Sequence, residues 1–142
     1  LSTGEKIVRH PDSVIMFTAN VDYDGIHSLN QSVISRCNLI MDMDMPSDDV
    51  VINRITRQTG MSDNEAVEKM VDVMHQINAE LERNGCTDGT CGIRELINWA
   101  ASAKVTNDIY KSALLTVVPA STADKDVQAK VLTCVETRFK AA

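Results

Sequence analysis

The hydrophobic period changes at Pro46, and that change limits what the chain can fold into. Before it, apolar residues come in runs or in strict alternation. "SVIMFTA", residues 13–19, is a continuous apolar run with β-branched and aromatic members, as in a strand buried on both faces. "NLIMDMDM", residues 38–45, alternates at period two from Leu39 and reads as a second strand. Met41, Met43 and Met45 then share one face and are expected in the core, with Asp42 and Asp44 on a solvated face. "EKIVRH", residues 5–10, alternates weakly and reads as a short strand before the Pro11-Asp12 turn. "SLNQSVIS" reads as a short helix.

After Pro46 the period is 3.6. Ser47 is the expected N-cap of a first helix, with Asp48 and Asp49 in its first turn, where carboxylates suit the helix dipole. Gly60 closes it. Ser62 to Glu65 reads as a capping box for a second helix, whose stripe is Val67, Met70, Val71, Met74, Ile77 and Leu81. His75 is expected to cover one edge of that stripe, and Asn84-Gly85 to end the helix. A third helix is expected from about Cys91, with Ile93, Leu96, Ile97 and Ala100 on its buried face. A fourth runs from Asp108 to Val118 and stops at Pro119. A fifth starts near Asp124, with Val127, Val131, Val135 and Phe139 in line. The expectation is a mainly α chain with a small β part of two to three strands, divided at Pro46 into residues 1–46 and 47–142. Two or three strands need a covering layer and neighbours, so the first part is not a sheet on its own.

Composition removes several function classes. At 142 residues, 44% hydrophobic and 24% charged, the chain can bury a core. A net charge of -6 argues against gripping nucleic acid by bulk positive charge, though it permits a local anion site. No apolar run approaches the roughly 20 residues of a membrane span, and the first residues are polar, unlike a secretory leader. Cys37, Cys86, Cys91 and Cys134 are scattered as in a reducing compartment, which favours a cytoplasmic location. "CTDGTC" offers two thiols, but structural zinc takes four ligands and no second pair is visible; His10, His27 and His75 are dispersed. No metal site is expected, and the default is a thiol-bearing loop turning at Asp88-Gly89. The chain begins at Leu1 in what reads as the interior of a longer protein.

Three residues carry candidate chemistry. Asn20 ends the first long apolar run, at the carboxyl end of a strand where open α/β sheets bind ligands. It either positions a phosphate oxygen or water, or only begins a turn. Arg36 follows the short helix; it either meets the helix C-terminal dipole or offers a guanidinium to a phosphate on a neighbouring molecule. Arg94 lies in the first turn of its helix, in "TCGIRELINWA", where positive charge is unfavourable unless an anion is near. It either pairs with a nearby acid, points to water, or helps hold a phosphate.

"VIMFTAN", "VDYDG", "IHSLNQSVISRC", "NLIMDMDMP" and "GIRELINWA", in that order, resemble the second half of an AAA+ ATPase module of the MoxR-like branch. The resemblance runs from Thr3 to about Val118 and lies in the order and spacing of the segments. It implies that residues 1–46 are the end of an αβα nucleotide-binding core and 47–142 an α-helical lid. Asn20 takes the place of the sensor 1 asparagine, Arg36 of the arginine finger reaching a neighbouring subunit's nucleotide, and Arg94 of the sensor 2 arginine that couples lid to nucleotide. ATP and Mg2+ are the cofactors implied for the intact protein. The implied partners are other copies in a ring and a protein with a von Willebrand A domain, remodelled or matured at the cost of ATP hydrolysis; neither nucleic acid nor membrane is expected. The sequence contains no G-x-x-x-x-G-K-[ST] loop, so this chain alone is expected neither to bind ATP tightly nor to hydrolyse it. The other reading is a non-catalytic helical protein-interaction module.

Overall fold

The computed structural model describes residues 3–4, 6, 8, 10–19, 30–86 and 89–140. These are mainly α-helical: α1 (Gln31–Ile34), α2 (Asp48–Thr59), α3 (Asn64–Arg83), α4 (Ile93–Thr106), α5 (Ile109–Leu115), α6 (Val117–Ser121) and α7 (Lys125–Phe139).

Several helix ends from α2 on have a local cause. Ser47 precedes α2, and Asp48 and Asp49 occupy its first turn. Gly60 ends it at φ 66°, in the left-handed region that glycine enters without penalty, its N–H donating to Thr56 O at 2.8 Å. Lys104 Nζ donates to the carbonyls of Thr59 and Gly60, so α4 caps the end of α2. The cap of α3 falls one residue later than the sequence pattern predicts. Asp63, not Ser62, accepts from Ala66 N at 3.1 Å, and Glu65 pairs forward with Lys69 at 2.7 Å instead of reaching back. Asp108 and Asp124 cap α5 and α7 through their carboxylates. Pro119 does not stop a helix as expected. The break comes earlier, at Thr116, and Pro119 sits in the first turn of α6, where a missing N–H costs no helical bond.

The core is built from Val51 onward. α3 packs against α2 and α7, and α4 against α2 and α5. The expected α3 stripe is fully buried, joined by Ala66 and Val73. Trp99 of α4 is the largest fully buried side chain; its Nε1 donates to Ile109 O at 2.8 Å and its ring meets Phe139 edge-on, with centroids 5.4 Å apart. Val127, Val131 and Val135 close the far side from α7. His75 does not cover the stripe: it is exposed, with Nε2 2.9 Å from Asp48 Oδ1.

The first part of the chain behaves otherwise. No strand is present among the described residues, and residues 13–19 and 38–45 lie outside regular secondary structure. Some of residues 5–10 fall outside the described set. Met41, Met43 and Met45 do not form a core face. They are exposed, Met43 by 86%, as are Val14, Ile15, Met16, Phe17, Leu39 and Ile40. A strand is a paired object, and an apolar face with no second layer remains in water.

Candidate functional site

The start of α4 is fixed from the side. The amide of Asn78, midway along α3, donates to Cys91 O at 2.8 Å and accepts from Cys91 N at 3.0 Å, as a neighbouring peptide group would. Glu95 Oε2 accepts from Gly92 N at 2.9 Å. Thr90 N donates to Ser121 O at 3.0 Å, tying the incoming loop to α6. Gly89 is required there: a Cβ on it would stand 2.6 Å from Ser121 O. Burial, assisted by the nearby Glu95 charge, pushes the Cys91 thiol up to about 12, so it stays protonated and inert at neutral pH.

Arg94 is the second residue of the helix held in this way. It is exposed and lies off the face formed by Leu96, Trp99, Ala100 and Ala103. Among the described residues it makes no ion pair and no side-chain hydrogen bond. Its groove, about 290 Å³, is lined by Ile93, Arg94, Ile97 and Asn98 of α4 and by Arg54 of α2. A second groove of about 490 Å³ lies along α2, lined by Val50, Asn53, Arg54, Arg57 and Gln58, so that Arg54 lines both. Arg54 therefore borders both grooves, with Arg94 on the first and Arg57 on the second, on a chain of net charge -6. The ion pairs of the bundle lie elsewhere: Lys69–Glu65, His75–Asp48, Arg83–Glu80, Arg138–Asp72 and Lys140–Glu136.

Sequence reasoning missed Arg54 and Arg57. Their signal was the absence of a local partner. Positions three and four away from Arg54 hold Val51, Val50, Arg57 and Gln58; those around Arg57 hold Arg54, Asn53, Gly60 and Met61. None is an acid, so neither arginine has the usual helical ion pair.

The other two sequence candidates are not brought to this groove. Asn20 lies outside the described residues, as does Asp88 of the expected loop turn. Arg36 follows α1, exposed, and its guanidinium donates to Ser32 O of that same short helix. It therefore answers the carbonyls at the helix C-terminus, as one of its two sequence readings held.

No group of three or more His, Cys, Asp or Glu side chains among the described residues could hold a metal ion, and no helix there is long and apolar enough to cross a membrane. No family model, curated protein or solved structure matches the chain.

Proposed function

We propose that this chain is the C-terminal part of an AAA+ ATPase module of the MoxR-like kind, with residues 1–46 ending the nucleotide-binding core and 47–142 forming its lid. The whole protein would assemble as a ring in the cytoplasm and couple ATP binding and hydrolysis, with Mg2+, to remodelling or maturation of a partner such as a von Willebrand A domain protein. The observation that carries the reading is Arg94: an exposed guanidinium, without an ion pair among the described residues, in the first turn of a helix whose start is pinned by Asn78. An arginine there is destabilised by the helix dipole and stabilised by a bound anion. The exposed apolar residues at 14–17 and 39–45 fit strands of a β remnant whose pairing partners belong to the rest of such a core. On this reading Asn20 addresses the γ-phosphate or the attacking water, Arg36 leaves its own helix to reach the next subunit's nucleotide, and Arg94 senses the nucleotide from the lid.

The test uses the longer protein encoded with the sequence that precedes Leu1. A G-x-x-x-x-G-K-[ST] loop is expected there. In that protein Arg36→Ala should slow ATP hydrolysis by on the order of 10³. Mixing it with subunits lacking the loop lysine should restore activity, because each supplies what the other lacks. Arg94→Ala should also lower hydrolysis, while leaving the thermal unfolding of the 142-residue chain within a few tenths of a kcal/mol. A longer protein with no such loop, or hydrolysis indifferent to both substitutions, overturns the proposal and leaves a helical interaction module.

A further inference from the structure

We infer that Arg54, Arg57 and Arg94 form one binding site for a linked polyphosphate, a chain of two or three phosphates such as the tail of a nucleoside triphosphate, with Arg54 as its shared centre. The inference rests on the reading of Arg94 as a nucleotide-facing residue and adds two residues that no motif marks. Its ground is that Arg54 lines two grooves, one lined also by Arg94 of α4 and the other by Arg57 of α2.

Like charges on two grooves that share Arg54 repel each other, and no carboxylate pairs with any of the three among the described residues. Asp48, on the same helix as Arg54, instead meets His75. A bound polyanion removes that repulsion. Arginine matches phosphate oxygens with a planar fork, which gives charge-assisted, two-point hydrogen bonds. Arg54 and Arg57 are three residues apart on one helix face, a rise of about 4.5 Å. Arg94, on α4, shares a groove with Arg54. A linked row of anions can meet all three, whereas a single phosphate meets one or two. The groove lined by Arg54 and Arg94, about 290 Å³, falls just below the size range of small-ligand sites, about 300–1,000 Å³. That favours a compact anion over a folded acidic surface.

The experiment titrates the 142-residue chain with inorganic triphosphate at low ionic strength, without Mg2+, following backbone amide resonances by NMR. Saturable shifts are expected in α2 around Arg54 and at the start of α4. Arg54→Ala and Arg94→Ala should each weaken binding about tenfold, in line with the loss of one charge-assisted hydrogen-bonding group. Arg57→Ala should weaken it less, about threefold, and Arg54→Lys should restore only part of the loss, because an ammonium lacks the fork. Lys111→Ala, which removes an exposed cation on α5, should leave affinity unchanged. These residues are exposed, so the variants retain the fold, which their amide spectra report directly. Loss on Arg94→Ala with Arg54→Ala unchanged overturns the shared site and leaves the reading of Arg94 standing. Loss on Arg54→Ala with Arg94→Ala unchanged overturns both. No saturable binding, equal weakening by Lys111→Ala, or equal affinity for a glutamate-rich peptide also overturns the inference, the last by assigning the groove to an acidic protein segment.

Discussion

Residues 38–45 and helix α3 are both rich in large apolar side chains, yet they meet opposite fates. Leu39, Ile40, Met41, Met43 and Met45 are exposed, while Val67, Met70, Val71, Met74 and Ile77 are almost wholly buried. Composition does not separate them; period does. A helix satisfies its own backbone hydrogen bonds, so its apolar stripe needs only a surface to pack on, and α2, α4 and α7 supply one. A period-two segment must find a hydrogen-bonding neighbour and an apolar layer together. The bundle from α2 to α7 contains everything its helices require. The segment before Pro46 does not.

The sharpest test of this contrast is a pair of truncations to alanine. Trp99→Ala removes the largest buried side chain, its contact with Phe139 and its hydrogen bond to Ile109, and should cost about 3–5 kcal/mol in chemical unfolding. Phe17→Ala, at a residue 73% exposed, should change stability by no more than about 0.5 kcal/mol. Comparable losses at the two sites would show that residues 13–19 share the bundle's core after all.

A smaller effect is expected at the start of α4. Asn78→Ala strips both partners from the Cys91 peptide group and should cost about 1–3 kcal/mol. The buried Cys91 thiol should then become reactive towards iodoacetamide at pH 8, where in the intact chain only more accessible thiols such as Cys37 react quickly. Cys91 labelling as slow as in the parent would mean that the loop is held without Asn78.

The smallest effect is electrostatic and should also be confined to the bundle. Hydrogen bonds from Lys140 and from Tyr110 hold the Glu136 carboxyl below its ordinary value. A carboxyl depressed in the folded state adds stability above its unfolded pKa and loses it as pH falls through the lower, folded value. Glu136→Gln should therefore flatten the acid limb of the melting temperature between pH 5 and pH 2, with less change at neutral pH than either substitution above. The same Glu136 raises Tyr110 and Lys140, so their contribution is complete below their unfolded pKa values and fades as pH rises through the folded ones, in strongly alkaline solution. An acid limb unchanged by Glu136→Gln would assign acid unfolding to other carboxyls, Glu80 first, which Asn84 holds down by a hydrogen bond.

The helices were legible because each stripe recurs within its own segment: the faces of α3 and α7 match the spacing read along the chain. Helix starts were legible to within a residue, α3 being capped by Asp63 where the pattern pointed to the adjacent Ser62. Trp99 was overlooked although it stands three residues after Leu96 and four before Ala103, on the same face. The break at Thr116 left no local mark, whereas Pro119 left a misleading one. Of the candidate site, Arg94 and its place in the first helical turn were readable. Arg54 and Arg57 showed only their lack of a helical ion-pair partner, while the groove that puts Arg54 beside Arg94 depends on how α2 packs on α4, which no local spacing encodes. The β part was inferred from a continuous apolar run at residues 13–19 and from alternation at 38–45, but neither pattern names the strand that must lie beside it.

The two ends of the loop between α3 and α4 are secured independently. Cys86 N closes on Leu81 O at 3.0 Å at one end, while Asn78 and Ser121 hold Cys91 and Thr90 at the other. Covalent continuity between Cys86 and Gly89 is therefore not what places α4 to α7 against α2 and α3. A chain cut there would yield two pieces, one carrying α2 and α3 and the other α4 to α7, whose shared interior gives them reason to reassociate. The bundle is in that sense a natural candidate for fragment complementation, with the break far along the chain from the arginines of α2 and immediately ahead of the one on α4.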